Sequence, residues 1–296
     1  MDGSTGKDAC REALDRDGYV VLPALLDATT LARLRGLARE ALDAQDAGHR
    51  ERHRSQGSLV PVADHPGFAD VVGHPALAGA FDALGFADPR YSSGYLIAKP
   101  PGGPPLFWHN DWWAWDDDAS YAAPPGQVFA MIYLVDTTPA NGCLRVVPGS
   151  HRRRHPIHDE ALRRAAHDAA LSRVDDPDDP LYGPAAGEVD VAVAAGDVIV
   201  GDARLLHAAH ANRSGGERAL LTLWFHPDHG SLPASWRARI RGFFDREGTD
   251  TDAAAGDAPT PETWPGAASL AHLFPPRVAA EPHPMVRTAD PGRLAG

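Results

Sequence analysis

Six β-rich segments limit the fold of this chain more than any other feature: residues 90–99 (RYSSGYLIAK), 126–136 (GQVFAMIYLVD), 142–150 (GCLRVVPGS), 188–196 (EVDVAVAAG), 197–204 (DVIVGDAR) and 218–226 (RALLTLWFH). They are bounded by Gly, Pro, Asn or Asp, residues that turn the backbone or withhold a ladder hydrogen bond and so end strands. The chain ahead of them reads differently. Residues 7–17 form a short helix, and residues 28–44 a longer one with Leu31, Leu34, Leu37, Ala41 and Leu42 on one face behind the cap candidate Asp27. Between them GYVVLPALL is a short strand or extended entry; residues 48–66 are aperiodic and His/Arg-rich, a loop, and residues 75–84 form a further helix. Helices first, then many strands joined by irregular loops, predict an α+β protein built on a barrel or jelly roll.

The 296 residues divide on this reading into a mainly helical support (1–88), a strand-rich core (89–226) and a C-terminal extension (227–296), all within one domain. Residues 152–187 interrupt the core with a charged, Pro-bearing connection that has one helical piece over 159–171. A connection of that length inside a β domain is more often functional than idle, so a lid is expected there. In the extension, Trp264, Leu270 and Phe274 are placed to dock on the core, and the Pro/Ala/Asp-rich stretch that follows Gly248 is expected to be mobile.

Charge and cysteine usage narrow the partner. With 40 acidic against 28 basic residues, a net charge of −12, the chain lacks the positive field that nucleic acid or an anionic membrane requires. A small-molecule substrate is the expected partner. The two cysteines, Cys10 and Cys143, are far apart and make neither a disulfide framework nor a zinc ribbon. No signal-like start and no apolar run near the roughly 20 residues of a membrane span occur, so a cytoplasmic protein is expected. Lysine occurs only at positions 7 and 99, which makes Lys99 conspicuous.

The chemistry concentrates in residues 107–118, FWHNDWWAWDDD, where four of seven tryptophans surround His109 and Asp111. On an extended chain, residues two apart point to the same side, so this imidazole and this carboxylate can share one metal ion. A third ligand must come from a distant strand, and residues 201–225 offer His207 and His210. Two His and one carboxylate on one face of an octahedral ion leave three positions open, the arrangement of non-haem Fe(II) oxygenases. Arg218 stands eleven residues after His207, at the head of an apolar strand, where a guanidinium can pair bidentately with the carboxylate of a co-substrate.

The joint pattern resembles the phytanoyl-CoA dioxygenase family of Fe(II)/2-oxoglutarate oxygenases. It comprises KPP at 99–101, HxD in a Trp/Phe-rich setting, NGCLRVVPGSH at 141–151, and GD…H…NRS…R with eleven residues from His to Arg, and it spans about residues 18–226. The resemblance implies a double-stranded β-helix, a cupin-like jelly roll, with flanking N-terminal helices. It implies Fe(II), 2-oxoglutarate as co-substrate and O2, with His109, Asp111 and His207 as iron ligands and Arg218 on the distal carboxylate of 2-oxoglutarate. His207 is preferred to His210 because its distances to Asn212 and Arg218 match the family pattern. Thr222, four positions beyond Arg218 on the same strand face, is a candidate for a second contact to that carboxylate. Trp113, Lys99 and Tyr95 are the candidate substrate contacts.

The reaction implied is oxidation of an unactivated C–H bond, hydroxylation by default, with release of succinate and CO2, on a natural-product or amino-acid-derived small molecule. Related halogenases lack the carboxylate that Asp111 provides, so its presence favours hydroxylation, desaturation or ring closure. Trp108, Trp112, Trp113 and Trp115 are expected to divide between the core and the mouth of a dry cavity, at least one of them touching substrate, and tryptophans beside acidic residues suit a cationic or amine-bearing substrate. On the residues alone two other classes stay open: a non-oxidative metal enzyme using the same ligands, and a non-catalytic jelly-roll binding protein. Arg218 separates them, because only the oxygenase needs a buried guanidinium facing the metal. NGCLRVVPGSH is expected to be structural, with turns at Asn141-Gly142 and Pro148-Gly149 holding loops beside the site.

Overall fold

Alternation along residues 218–226 accounts for the architecture. In the computed structural model, which describes residues 3–122, 124–164, 169–245 and 260–295, Leu221, Leu223 and Phe225 pack into a core beneath the helices. Leu220 and Trp224 point the other way, into a second cluster with Phe129, Met131, Tyr133 and Ile199. One strand therefore carries a helix-facing row and an interior row, as the two-residue period of a strand requires. Both faces are covered, so the segment is apolar almost throughout.

The strands are β1 Tyr19–Leu22, β2 Val60–Pro61, β3 Arg90–Lys99, β4 Leu106–His109, β5 Val128–Tyr133, β6 Leu144–Val146, β7 Val189–Val191, β8 Val198–Asp202, β9 His207–Ala209 and β10 Arg218–His226. They form a six-stranded sheet in the order β1-β8-β5-β10-β3-β2 and a four-stranded sheet in the order β4-β9-β6-β7. Their pairings are antiparallel, and neighbours in space are distant in sequence: β10 lies between β3 and β5. This is a jelly roll of the double-stranded β-helix kind, with the interior cluster between the sheets.

The support helices follow the sequence closely. Helix Ala28–Asp43 starts at Asp27, whose carboxylate accepts the Thr30 N–H at 2.7 Å, and it buries Leu31, Leu34, Ala38 and Ala41. Leu37 and Leu42 of the expected stripe are only partly buried. The 48–66 region is more ordered than a loop. It contains the helical turn His49–Arg52 and strand β2, with His49, Ser55 and Ser58 buried. His49 Nε2 accepts the Leu59 N–H at 3.1 Å and Ser55 donates to the Pro105 carbonyl. Polar side chains bonded to backbone hold this segment, so no apolar period announced it.

The 152–187 connection forms helices Pro156–Arg164 and Ala169–Arg173; residues 165–168 of the expected helical piece lie outside the described residues. Leu171, Val174, Leu181 and Tyr182 pack with Phe107, Trp108 and Leu206 against the four-stranded sheet, and the Trp108 indole donates to the Gly183 carbonyl at 2.9 Å. In the extension, Trp264, Leu270 and Phe274 join the core beneath the helices. The stretch expected to be mobile lies outside the described residues over 246–259. No helix among the described residues is long and apolar enough to cross a membrane.

His226, at the end of β10, is fully buried and donates from Nδ1 to the Gly126 carbonyl at 2.7 Å. Burial pushes its imidazolium pKa down to about 3. The unfolded chain takes up this proton near the ordinary value of roughly 6.5, whereas the folded chain does not until about pH 3. The contribution is thus complete above roughly pH 6.5 and is lost as pH falls through that interval. A His226→Gln variant, which keeps an N–H donor, is expected to lose less stability than wild type between pH 7 and pH 5 in urea titrations. Identical losses would show that another group governs acid sensitivity.

Candidate active site

His109 ends β4 and His207 opens β9, and the two are cross-strand partners. Their rings lie 4.2 Å apart between centroids. Asp111 follows one turn of extended chain later, its backbone N–H held by the Ala203 carbonyl at 2.8 Å. That anchor brings the carboxylate to the two imidazoles: Asp111 Oδ1 is 3.6 Å from His109 Nε2 and Oδ2 is 3.8 Å from His207 Nε2. The three ligand atoms all lie within 4.8 Å of one another, a separation that one metal ion can span.

The imidazoles are oriented by their other nitrogens. His109 Nδ1 is 2.9 Å from the Phe107 carbonyl and His207 Nδ1 is 3.0 Å from the Leu205 carbonyl. A carbonyl only accepts, so each Nδ1 carries the proton and each Nε2 turns a lone pair to the common point. His207 also packs against Phe129, 5.2 Å between centroids. Gly201 on β8 makes room for that ring, since a Cβ there would lie 2.2 Å from it.

Arg218, Thr222 and Trp224 share the interior side of β10 with Leu220. Arg218 is 3% exposed and Thr222 is 1% exposed; Nε of the first and Oγ1 of the second have no hydrogen-bond partner. Lys99 sits directly across from Arg218 on β3 and is fully buried. Its ammonium donates to the carbonyls of Pro104 and His210, and burial beside Arg218 pulls its pKa well below the lysine range. Burial likewise lowers the Arg218 pKa. Among the described residues no carboxylate forms an ion pair with either cation, so this end of the barrel is a desolvated positive pocket that lacks an anion. A triad of two imidazoles and a carboxylate fits Fe(II), and a buried guanidinium with an unpaired hydroxyl four positions along the same strand face fits a dicarboxylate.

The sequence-predicted residues divide accordingly. His109, Asp111 and His207 come together, and Arg218 and Lys99 pair at one end of β10 and β3, with Thr222 midway along β10 on the same row as Arg218. Tyr95 pairs with Thr222 across the ladder and is only partly buried, with its ring against Trp224 at 5.8 Å. His210 is elsewhere, its Nε2 2.6 Å from Asp190.

Trp112, Trp113 and Trp115 pack away from the triad. Trp112, Trp113 and Trp115 are each 1% exposed and belong to a separate core with Trp236, Ile240, Ala289 and Leu294. The ring neighbours of Trp113 are Trp112, Trp236, Phe243 and His283, none of them in the triad. Beyond Asp111 the chain packs against helix Ala234–Phe244, and the C-terminal segment closes over it: Val286 exchanges backbone hydrogen bonds with Trp113 and Trp115. The basis for expecting a cationic substrate goes with this placement, since Asp116 pairs with His283 and Asp118 with Arg293. NGCLRVVPGSH does hold loops in place. Asn141 accepts the Thr138 N–H at 2.7 Å and Ser150 Oγ accepts the Leu206 N–H at 2.9 Å.

One site residue was missed. The Trp224 indole N–H donates to Asp111 Oδ2 at 2.9 Å. Its even spacing from Arg218, through Leu220 and Thr222, is the signal that places it on the interior row.

The comparisons with known proteins agree with this geometry. The chain is 31% identical over 150 residues to ectoine dioxygenase of Sphingopyxis alaskensis, a match covering 47% of this chain and 48% of that protein. It spans about half the length of the curated relatives it matches. Among solved structures it is similar to SnoK, a non-haem alpha-ketoglutarate-dependent carbocyclase from nogalamycin biosynthesis, at 26% identity and a TM-score of 0.52, covering 73% of this chain and 82% of that one. It shares its fold with the epimerase SnoN, solved with Fe3+, alpha-ketoglutarate and nogalamycin RO, at 21% identity and a TM-score of 0.54, covering 86% of this chain and 95% of that one. Residues 14–220 match the phytanoyl-CoA dioxygenase (PhyH) family model, more than two thirds of the chain, and the protein therefore belongs to the phytanoyl-CoA dioxygenase family.

Proposed function

We propose that the protein is an Fe(II)- and 2-oxoglutarate-dependent dioxygenase that hydroxylates an unactivated C–H bond of a small molecule, a natural-product or amino-acid-derived intermediate. The observation that carries the reading is Arg218. A buried guanidinium without an anion, on the same strand row as the tryptophan that touches the triad, serves neither a hydrolytic metal site nor a sugar-binding barrel.

In this reading His109, Asp111 and His207 hold iron through Nε2, a carboxylate oxygen and Nε2. Arg218 and Thr222 receive the distal carboxylate of 2-oxoglutarate, with Lys99 adding positive field. Iron with 2-oxoglutarate and O2 supplies the oxidising chemistry and yields succinate and CO2. The chain places and excludes. Phe129, Met131, Ile199 and Leu220 keep the interior apolar, and Tyr95 and Trp224, only partly buried, form the wall nearest the substrate. The likeness to the carbocyclase SnoK supports carbocycle formation as a second outcome on the same site.

The test is conversion of 2-oxoglutarate to succinate by the purified chain with Fe(II) in air, first alone and then with candidate substrates. Binding of 2-oxoglutarate to the iron-loaded protein, read from its visible absorption, provides a substrate-free check. No such absorption and no succinate from folded protein would refute the reading.

Trp224 has a defined task here. With its N–H on Asp111 Oδ2, it would leave Oδ1 as the donor to a metal ion held by the triad. Trp224→Phe, which keeps the ring and removes the N–H, is expected to weaken Fe(II) binding about 10- to 100-fold. Equal iron affinity in the variant would leave Trp224 as a packing residue.

A further inference from the structure

A second group of donors lies at one end of the four-stranded sheet. Cys143 leads into β6, Asp190 is the middle residue of β7, and His210 follows β9; their ligand atoms all lie within 4.8 Å of one another. The register explains the convergence. Leu144 pairs with Ala209, and Arg145 pairs with both Ala208 and Asp190. The His210 N–H donates to the Cys143 carbonyl at 3.0 Å, which makes those two residues the next cross-strand pair. Alternation then puts Cys143, Asp190 and His210 on the face opposite to Leu144 and Ala209, with Asp190 one step along from the pair.

Three further features bear on a ligand. Cys143 is a free, fully buried cysteine. His210 Nε2 is already turned to Asp190 Oδ1 at 2.6 Å, so the nitrogen and oxygen donors are aligned with each other. Arg145, whose charge also reaches the Cys143 thiol, is occupied by Glu188 at 2.5 Å and the Gly183 carbonyl at 2.9 Å. Asp190 is exposed and His210 partly so, which opens the group to solvent.

We propose that Cys143, Asp190 and His210 form a second metal site, for a divalent cation of the zinc class, separate from the His109–Asp111–His207 centre. One sulfur, one nitrogen and one oxygen donor suit a tetrahedral ion whose fourth position is taken by water. The sulfur selects zinc or cobalt over magnesium, calcium and manganese, which take oxygen donors. On binding, the Cys143 thiol gives its proton to solvent and the cation replaces the His210–Asp190 hydrogen bond with two coordinate bonds.

The experiment titrates Co2+ into the metal-free full-length chain and follows thiolate-to-cobalt charge-transfer absorption, which the sulfur-free triad cannot produce. The band is expected to saturate at one Co2+ per chain, to be displaced by Zn2+, and to persist in Asp111→Ala and Cys10→Ser. It is expected to vanish in Cys143→Ser, and in Cys143→Ala should the serine variant not fold, and to need about tenfold more Co2+ in His210→Ala. No band in the folded wild-type chain at saturating Co2+, a band that survives loss of Cys143, or unchanged Co2+ affinity in His210→Ala overturns the proposal. Because Asp111→Ala abolishes the triad and not this site, the outcome is independent of whether the chain is an oxygenase.

Discussion

An Arg218→Met variant is expected to bind 2-oxoglutarate about 30- to 5,000-fold more weakly than wild type, which corresponds to the roughly 2–5 kcal/mol lost when one member of a buried, hydrogen-bonded charge pair is truncated. The same variant is expected to be at least as stable as wild type before 2-oxoglutarate is added. Arg218 is 3% exposed beside the fully buried Lys99, and no carboxylate among the described residues pairs with it, so folding desolvates this charge with nothing to offset the cost. Calorimetric titration of 2-oxoglutarate into metal-loaded protein gives the first quantity, and thermal unfolding of metal-free protein gives the second. Unchanged affinity would remove Arg218 from the co-substrate pocket. A marked fall in Tm would mean that the guanidinium holds the fold rather than the ligand.

His207→Ala is expected to lower turnover by more than about 10³-fold, well beyond the 10- to 100-fold typical of outer-shell partners, because one of three iron ligands is gone. His210→Ala is expected to keep turnover within a few-fold of wild type, since its ring is directed to Asp190 and not to the triad. The contrast uses two histidines three residues apart in one segment, so expression and folding effects are shared. If His210→Ala abolished turnover and His207→Ala did not, the metal centre would have to be reassigned.

The parts of the fold that were legible are those in which one residue pattern meets one environment. Strands β3 and β10 coincide with the segments read from alternation and punctuation, and Asp27 caps its helix as its position suggested. Short strands were not separable from loops. β4 and β9, four and three residues long, bring His109 and His207 together, yet each is too brief to show a period. The HxD spacing carried the information that the strands themselves could not. Which of the tryptophans around His109 would be core was not legible for a different reason. Composition reports that aromatic surface must be buried, not against what, and here the burying partners are helix Ala234–Phe244 and a C-terminal segment more than 150 positions away. Trp224 illustrates the converse: its row on β10 was readable, but its bond to Asp111 depends on where a loop from another sheet ends.

That C-terminal segment changes what should be regarded as the catalytic unit. The family match ends at residue 220, before Trp224, before helix Ala234–Phe244 and before Val286, whose bonds to Trp113 and Trp115 fasten the chain just after Asp111. The proposed metal ligands lie inside the shared framework, while the bracing that fixes one of them lies outside it. Precision at the reacting centre is therefore a property of the whole chain, and a fragment trimmed to the family boundary would retain every ligand yet lose the buttress that aims one of them.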